Sequence, residues 1–427
     1  MTRLLPLTAA IGLSLFATIS PASDEEWGTE WGDDPWAEQI ASPWQPLSGY
    51  LELGYGTRLQ SDATGLDGPT LSQALGRLET GYRGDNLQGK LRLDLGYDDA
   101  VDQWVFDARE LTLGTDVGAD AHLKVGRQVL TWGTGDYLFL NDLFPKDWQA
   151  FFSGQDDEYL KAPVNAIKGS WYGQNVNLDL VYMPRFEADN YLNGERFSYF
   201  DPISGQKVAP DKRADEPGDD AASARLYWAH QGAEYALYGY WGYTGQPLGA
   251  DPQGRPQHAR LNAYGASARL PVMGGLLNAE AAYHLSLDAD SSGVSAPQDK
   301  VLALLGYETE LVTHLTGSVQ YYLEHIRHYQ DYLLSLPSPE YGADQNRQLV
   351  TLRLTYRAMQ EKLTLSLFSF YSPTDRDFYL KPQVNYRPND QWLLSGGLNL
   401  MNGREQHTFF GQLDDNSNAW IRLRYYY

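Results

Sequence analysis

The chain has 427 residues, a formal net charge of −22 at pH 7 and no cysteine. The absence of cysteine excludes disulfides, thiolate zinc sites and covalent attachment of c-type haem. The negative charge disfavours nucleic acid as a partner, because phosphate backbones are bound by basic surfaces.

The first 48 residues show two features of an exported protein. Residues 1–22 carry a basic residue, Arg3, near their start, continue through an apolar run and end in small residues, which is typical of a secretory signal peptide. Residues 23–48 combine seven acidic residues and four tryptophans, with no base between 24 and 46. We expect a periplasmic tail here. Two roles stay open for it, a plain tether or a contact with a periplasmic partner through residues 24–46.

From residue 49 to 427 the sequence alternates apolar and polar residues in segments of about nine to eleven, the length that a tilted strand needs to cross a bilayer. In one segment Leu91, Leu93 and Leu95 alternate with Arg92 and Asp94. Eighteen such segments run from 49–60 to 418–427. They predict an all-β transmembrane antiparallel β-barrel with short periplasmic turns and long outer loops.

Sixteen strands stay an alternative. The segments 104–114 and 377–387 alternate less regularly than the others, and Pro382 interrupts the second. A barrel without these two segments would have sixteen strands, which is also an even number.

The connection 133–164 is too apolar for a loop left in water. Two placements stay open. The segment folds into the lumen as a constriction, or it rests on the barrel rim or a neighbouring protomer. The candidate constriction residues are Asp136, Phe139, Asn141, Asp142 and Phe144. The connection 184–220 is rich in Pro, Gly and Asp, and we expect a solvated outer loop there.

Basic residues on the inferred inner face fall mainly in the first five and last five strands, which barrel closure makes neighbours. A wall of this kind attracts anions, so these residues are candidates for the pore lining. Alternatively, carboxylates such as Glu52, Glu79 and Asp94 pair with them across strands and stiffen the wall. The candidates are Arg58, Arg77, Arg83, Lys90, Arg92, Arg109, Lys124, Arg127, Arg353, Arg422 and Arg424.

One stretch carries a family resemblance. Gly126-Arg127-Gln128, then Trp132-Gly133 and Asn141-Asp142-Leu143-Phe144-Pro145, resemble the strand end and following loop of alginate-export-type porins and related proteobacterial barrel proteins, over roughly residues 75–185. The resemblance implies an 18-stranded outer-membrane channel in which Arg127 projects into the pore beside a narrowing loop. In alginate exporters, pore arginines face an anionic polysaccharide.

These features predict a porin-like channel in the outer membrane of a Gram-negative bacterium, for passive diffusion of small anionic solutes. Lipid and lipopolysaccharide would surround it, and a homo-oligomer is compatible with the sequence. An alternative is a barrel scaffold or sleeve for an envelope export or electron-transfer complex. The histidines show no recognisable Ser-His-Asn spacing, so we predict neither an enzyme nor a bound cofactor or metal.

Overall fold

A computed structural model describes residues 42–209, 214–248, 255–288 and 297–427. The expected signal peptide and most of the expected acidic tail lie outside these ranges. The last residues assigned to the tail already contact the barrel, since the backbone N–H of Gln45 donates to the carbonyl of Gly81 at 2.8 Å.

The described residues form twenty strands, in agreement with the two-residue period. Eighteen of them belong to one sheet and two form a separate hairpin. The sheet strands are β1 (Ser48–Arg58), β2 (Pro69–Arg83), β3 (Gln88–Asp98), β4 (Gln103–Asp116), β5 (Ala121–Val129), β6 (Pro163–Tyr172), β7 (Asn177–Met183), β10 (Ala221–His230), β11 (Ala233–Tyr243), β12 (Arg260–Val272), β13 (Gly275–Ser286), β14 (Lys300–Val312), β15 (Leu315–Ile326), β16 (Asn346–Ala358), β17 (Leu363–Ser372), β18 (Asp377–Asn389), β19 (Trp392–Gly403) and β20 (Asn418–Tyr426). The hairpin strands are β8 (Tyr199–Asp201) and β9 (Gln206–Val208).

Each strand of the large sheet pairs antiparallel with its neighbours in the chain, and the last strand pairs with the first. The closing ladder runs from Tyr50 opposite Tyr426 to Arg58 opposite Asn418. The predicted 18-stranded barrel is confirmed, and the 16-stranded alternative is wrong. Pro382 interrupts only the ladder to β19, while the ladder to β17 continues past it.

The strands divide their side chains between two environments. Leu51 and Leu53 on β1 are more than half exposed on the outside, whereas Glu52 between them is 6% exposed and faces inward. Turns of a few residues and the N-terminal end of β1 lie at one end of the barrel, and mostly longer loops lie at the other. A β-bulge between β3 and β4 shifts the register near Arg109. This shift explains why the alternation in 104–114 is irregular.

The remaining structure lies in the connections. Helix α1 (Trp148–Ser153) and a 3₁₀ turn (Asp157–Leu160) follow β5, and helix α2 (Tyr329–Ser335) follows β15. Two more 3₁₀ turns are Pro339–Tyr341 and Gly411–Asn416. Within the described ranges, none of the helices has the length and apolar character needed to cross a membrane.

Candidate functional site

The connection between β5 and β6, residues 130–162, lies inside the barrel. We call it the lumen segment. Asp147 caps α1, since its carboxylate accepts a hydrogen bond from the backbone N–H of Ala150 at 2.7 Å. Gly154 ends the helix with φ +91°, and a Cβ there would lie 2.2 Å from the Trp420 ring on β20. Only glycine satisfies both conditions, which lets the segment turn against the wall.

Aromatic side chains attach the lumen segment to one side of the barrel. Phe151 and Phe152 lie with ring centroids 5.6 and 5.4 Å from that of Tyr379 on β18. Tyr137 lies edge-on to Phe368 of β17 at 4.7 Å. These rings belong to an apolar cluster that also includes inward residues of β13–β16 and β19. One side of the lumen is therefore packed like a protein core.

Polar contacts anchor the backbone within this apolar side. The carbonyl of Phe152 accepts hydrogen bonds from the side-chain amides of Asn399 at 3.0 Å and Asn418 at 2.9 Å. His284 Nε2 donates to the carbonyl of Leu140 at 2.9 Å. A buried carbonyl without a partner would be costly, so these side chains stabilise the segment in place. None of these three side chains was a predicted site residue.

Ion pairs attach the segment to the neighbouring side of the barrel, on β20, β2 and β3. Asp156 accepts hydrogen bonds from Arg422 at 3.1 Å and Arg424 at 3.0 Å, both on β20. Glu158 accepts from Arg77 of β2 at 2.6 Å. The Tyr159 hydroxyl donates to the buried carboxylate of Asp94 at 2.7 Å. The segment thus packs against an aromatic wall on β13–β19 and a charged wall that adjoins it at β20.

The predicted constriction residues separate into two groups. Asp136 pairs with Arg353 of β16 at 3.3 Å, and Asn141 donates to Glu280 of β13 at 2.8 Å, so both tie the segment to the wall. Phe144 also contacts the wall, since it is buried in a cluster with inward residues of β6, β7 and β10–β12. The other two brace the segment itself, since Asp142 pairs with Lys146 and the Phe139 ring lies 4.6 Å from the Lys146 ammonium.

Most predicted pore-lining bases lie on the inward face and contact carboxylates or backbone carbonyls. Arg92 pairs with Glu79 at 3.0 Å. Lys90 and Lys124 share Glu110 at 3.1 and 2.9 Å. The Arg109 guanidinium donates to the lumen-segment carbonyls of Glu158 and Lys161. Arg58 donates to backbone carbonyls at the loop end of the barrel, and Arg83 is exposed at the turn end.

Arg127 does not line the pore as predicted. It lies opposite Leu111 on β4 and Asn165 on β6, and directly paired residues share a face. Leu111 is 57% exposed on the outer surface, so Arg127 faces outward instead of into the pore. Its guanidinium pairs with Glu187 at 2.8 Å. Strict alternation from the inward Lys124 already required this outward position.

The connection 184–220 was expected to be a solvated outer loop, but its first half is packed into the barrel mouth. Phe186 and Phe197 are buried, and Arg196 pairs with Asp98 of β3 at 2.6 Å. The carboxylate of Asp189 accepts hydrogen bonds from the Trp148 indole at 2.8 Å and the Lys146 backbone at 3.0 Å, which joins this loop to the lumen segment. Burial raises the pKa of Asp189 to about 6.

Comparison with known proteins identifies the fold. No family model and no curated protein matches the sequence. OccAB3 of Acinetobacter baumannii superposes with a TM-score of 0.54 at 10% identity, covering 89% of this chain and 98% of that one. OccK5 (OpdH) of Pseudomonas aeruginosa gives 0.51 at 10% identity, covering 89% and 96%. The outer membrane channel DcaP of A. baumannii gives 0.45 at 10% identity, covering 91% and 99%. The likeness to OccAB3 and OccK5 shows the barrel fold. The expected membership of the alginate-export-type family receives no support from these comparisons.

Proposed function

We propose that the protein is an outer-membrane channel for passive diffusion of small solutes. The observation that carries the proposal is a closed barrel with an apolar outer surface and a charged inner surface. Such a barrel is stable in lipid because every strand edge is paired and apolar side chains meet the hydrocarbon. The barrel fold that the chain shares with OccAB3 and OccK5 fits this proposal.

We infer a preference for anions from the charged wall formed by β1–β3 and β20. Its inward bases outnumber its inward acids. The bases are Arg58, Arg77, Arg83, Lys90, Arg92, Arg422 and Arg424, and the acids are Glu52, Glu79, Asp94 and Asp98. With Asp156 and Glu158 of the lumen segment counted, seven bases still exceed six acids, and within a lumen such an excess attracts anions and repels cations. The lumen segment limits the size of the solute, because it occupies the lumen in front of this wall and of the adjoining aromatic wall.

Planar bilayer recording tests both parts of the proposal. We expect stepwise conductance from the refolded protein and a reversal potential that indicates anion preference under a KCl gradient. Replacing residues 134–160 by a short Gly-Ser linker should increase the step size. As a control, shortening the connection 327–345 should leave the step size unchanged, because no residue of α2 is buried.

Different outcomes reject different parts. Absence of conductance steps from both the full chain and the linker variant would reject the channel. Cation preference would reject the charged wall as the selectivity element and leave the channel intact.

The packed interior favours a second candidate, a scaffold barrel for an envelope complex. In that case we expect no conductance steps from the linker variant. We also expect that removal of residues 24–46 abolishes copurification of a periplasmic protein from membranes.

A further inference from the structure

Two carboxylates of the lumen segment lie in a cluster of guanidinium groups, and the argument from them rests on the proposed channel function. Arg77, Arg422 and Arg424 are 2, 3 and 6% exposed. Asp156 contacts Arg422 and Arg424, and Glu158 contacts Arg77.

The barrel wall alone does not neutralise this cluster. Arg422 and Arg424 share a single wall carboxylate, Glu52, at 3.2 and 2.7 Å. Arg77 binds Asp94 through Nε and Nη2, and its Nη1 contacts Glu158 at 2.6 Å and lies 3.7 Å from Glu79, which pairs more closely with Arg92 at 3.0 Å. With Arg92 included, four guanidinium groups face the three wall carboxylates Glu52, Glu79 and Asp94. Excess positive charge in a buried cluster is unfavourable, and the lumen segment supplies the further negative groups.

The two carboxylates reach the cluster from a separate piece of chain. Glu158 lies on the short 3₁₀ turn Asp157–Leu160 that follows Gly154, and Asp156 caps this turn, whereas the arginines lie on the paired strands of the barrel. The side chains of Asp156 and Glu158 remain 27 and 26% exposed. An anion in the lumen can reach the same arginines if these carboxylates leave.

We propose that Arg77, Arg422 and Arg424 form a binding site for a dicarboxylate solute, and that Asp156 and Glu158 occupy it as an internal ligand. A solute with two carboxylates replaces the two that it displaces and keeps the buried arginines neutralised. Binding of solute and release of the segment are thus one exchange. An anion without this pairing, such as chloride, passes without displacing the segment.

Competition by succinate with the chloride current tests the proposal. Removing the internal ligand in the double variant Asp156→Asn, Glu158→Gln should lower the half-blocking concentration of succinate about tenfold, because the solute no longer competes with an intramolecular partner. The control is Glu234→Gln with Glu361→Gln, which removes two charges from side chains that are 69 and 68% exposed. Succinate should block the control variant at the same half-blocking concentration as the wild type.

A second measurement uses the absence of cysteine in the chain. In an otherwise wild-type protein with Gln155→Cys, succinate should increase the rate of maleimide labelling several-fold, and chloride at equal ionic strength should not. Unchanged labelling, or equal block of the double variant and its control, would overturn the site while channel conductance persists. Loss of all conductance in the wild type would instead reject the channel.

Discussion

At the scale of single residues, Asp189 shows how burial turns a polar contact into a pH-dependent one. Its carboxylate holds the lumen segment through Trp148 and Lys146, and burial raises its pKa to about 6 from an ordinary value of 3.8. The folded state therefore binds a proton that the unfolded state has released between these pH values. The contribution of this group to stability is greatest below pH 4 and falls as the pH rises to about 6.

Urea unfolding in detergent micelles across pH 4–8 measures this effect. We expect Asp189→Asn to remove the part of the decline that this carboxyl causes, up to about 3 kcal/mol at about 1.4 kcal/mol per pH unit. Asp215→Asn in the same loop is the control, because the Asp215 side chain is 98% exposed. A slope between pH 4 and 6 that is the same in both variants would contradict the assignment.

At the scale of secondary structure elements, the period of two residues decides which face a side chain occupies. Lys124 faces inward beside Glu110, so Arg127 three residues later faces outward unless a bulge intervenes. Such a bulge does occur in β4, where Arg109 and Glu110 are adjacent yet both contact groups inside the barrel. The same rule therefore places Arg109 in the lumen and Arg127 outside.

This difference in face predicts a difference in selectivity. Arg92→Gln removes a lumen charge and should shift the reversal potential toward cations under a KCl gradient. Arg127→Gln should leave the reversal potential within a few millivolts of the wild-type value, on the order of the scatter expected when an outer-surface charge is screened by salt. A shift from Arg127→Gln as large as that from Arg92→Gln would show that its side chain reaches the pore.

The strands were predictable from the sequence because each carries its own alternation. All eighteen predicted segments correspond to strands, with differences of a few residues at the ends. The hairpin β8–β9 and helix α2 were not predictable by the same means. They are three to seven residues long, which is too short for a period to be visible.

The candidate site was predictable only in part. Composition indicated that the segment 133–164 packs against something, and the phenylalanines do pack inside the barrel. Its ionic partners depend on which inward side chains meet across the lumen, and this follows from closure of the whole barrel. Asp156 and Glu158 were therefore not among the predicted site residues, although they bind arginines more than 80 residues away in the sequence.

At the scale of the whole molecule, stability and closure of the passage have the same origin. The aromatic wall and the charged wall are neighbours in the sheet, and the lumen segment packs against both. Burying apolar side chains of the segment stabilises the barrel, since each buried ring contributes about 1.5–3 kcal/mol. The same burial narrows the lumen, so a change that widens the passage from this side should also weaken the fold.

Phe152→Ala tests this coupling, because the ring is fully buried between the segment and Tyr379. We expect a loss of about 3–5 kcal/mol in the free energy of unfolding together with larger conductance steps, measured by urea unfolding in micelles and by bilayer recording. Phe378→Ala is the matched control on β18, since Phe378 is 41% exposed on the outer surface and contacts lipid or detergent. For Phe378→Ala we expect a much smaller loss in the free energy of unfolding and conductance steps of unchanged size. Two outcomes would contradict the coupling. One is an equal loss of unfolding free energy in the two variants, and the other is destabilisation by Phe152→Ala without larger conductance steps.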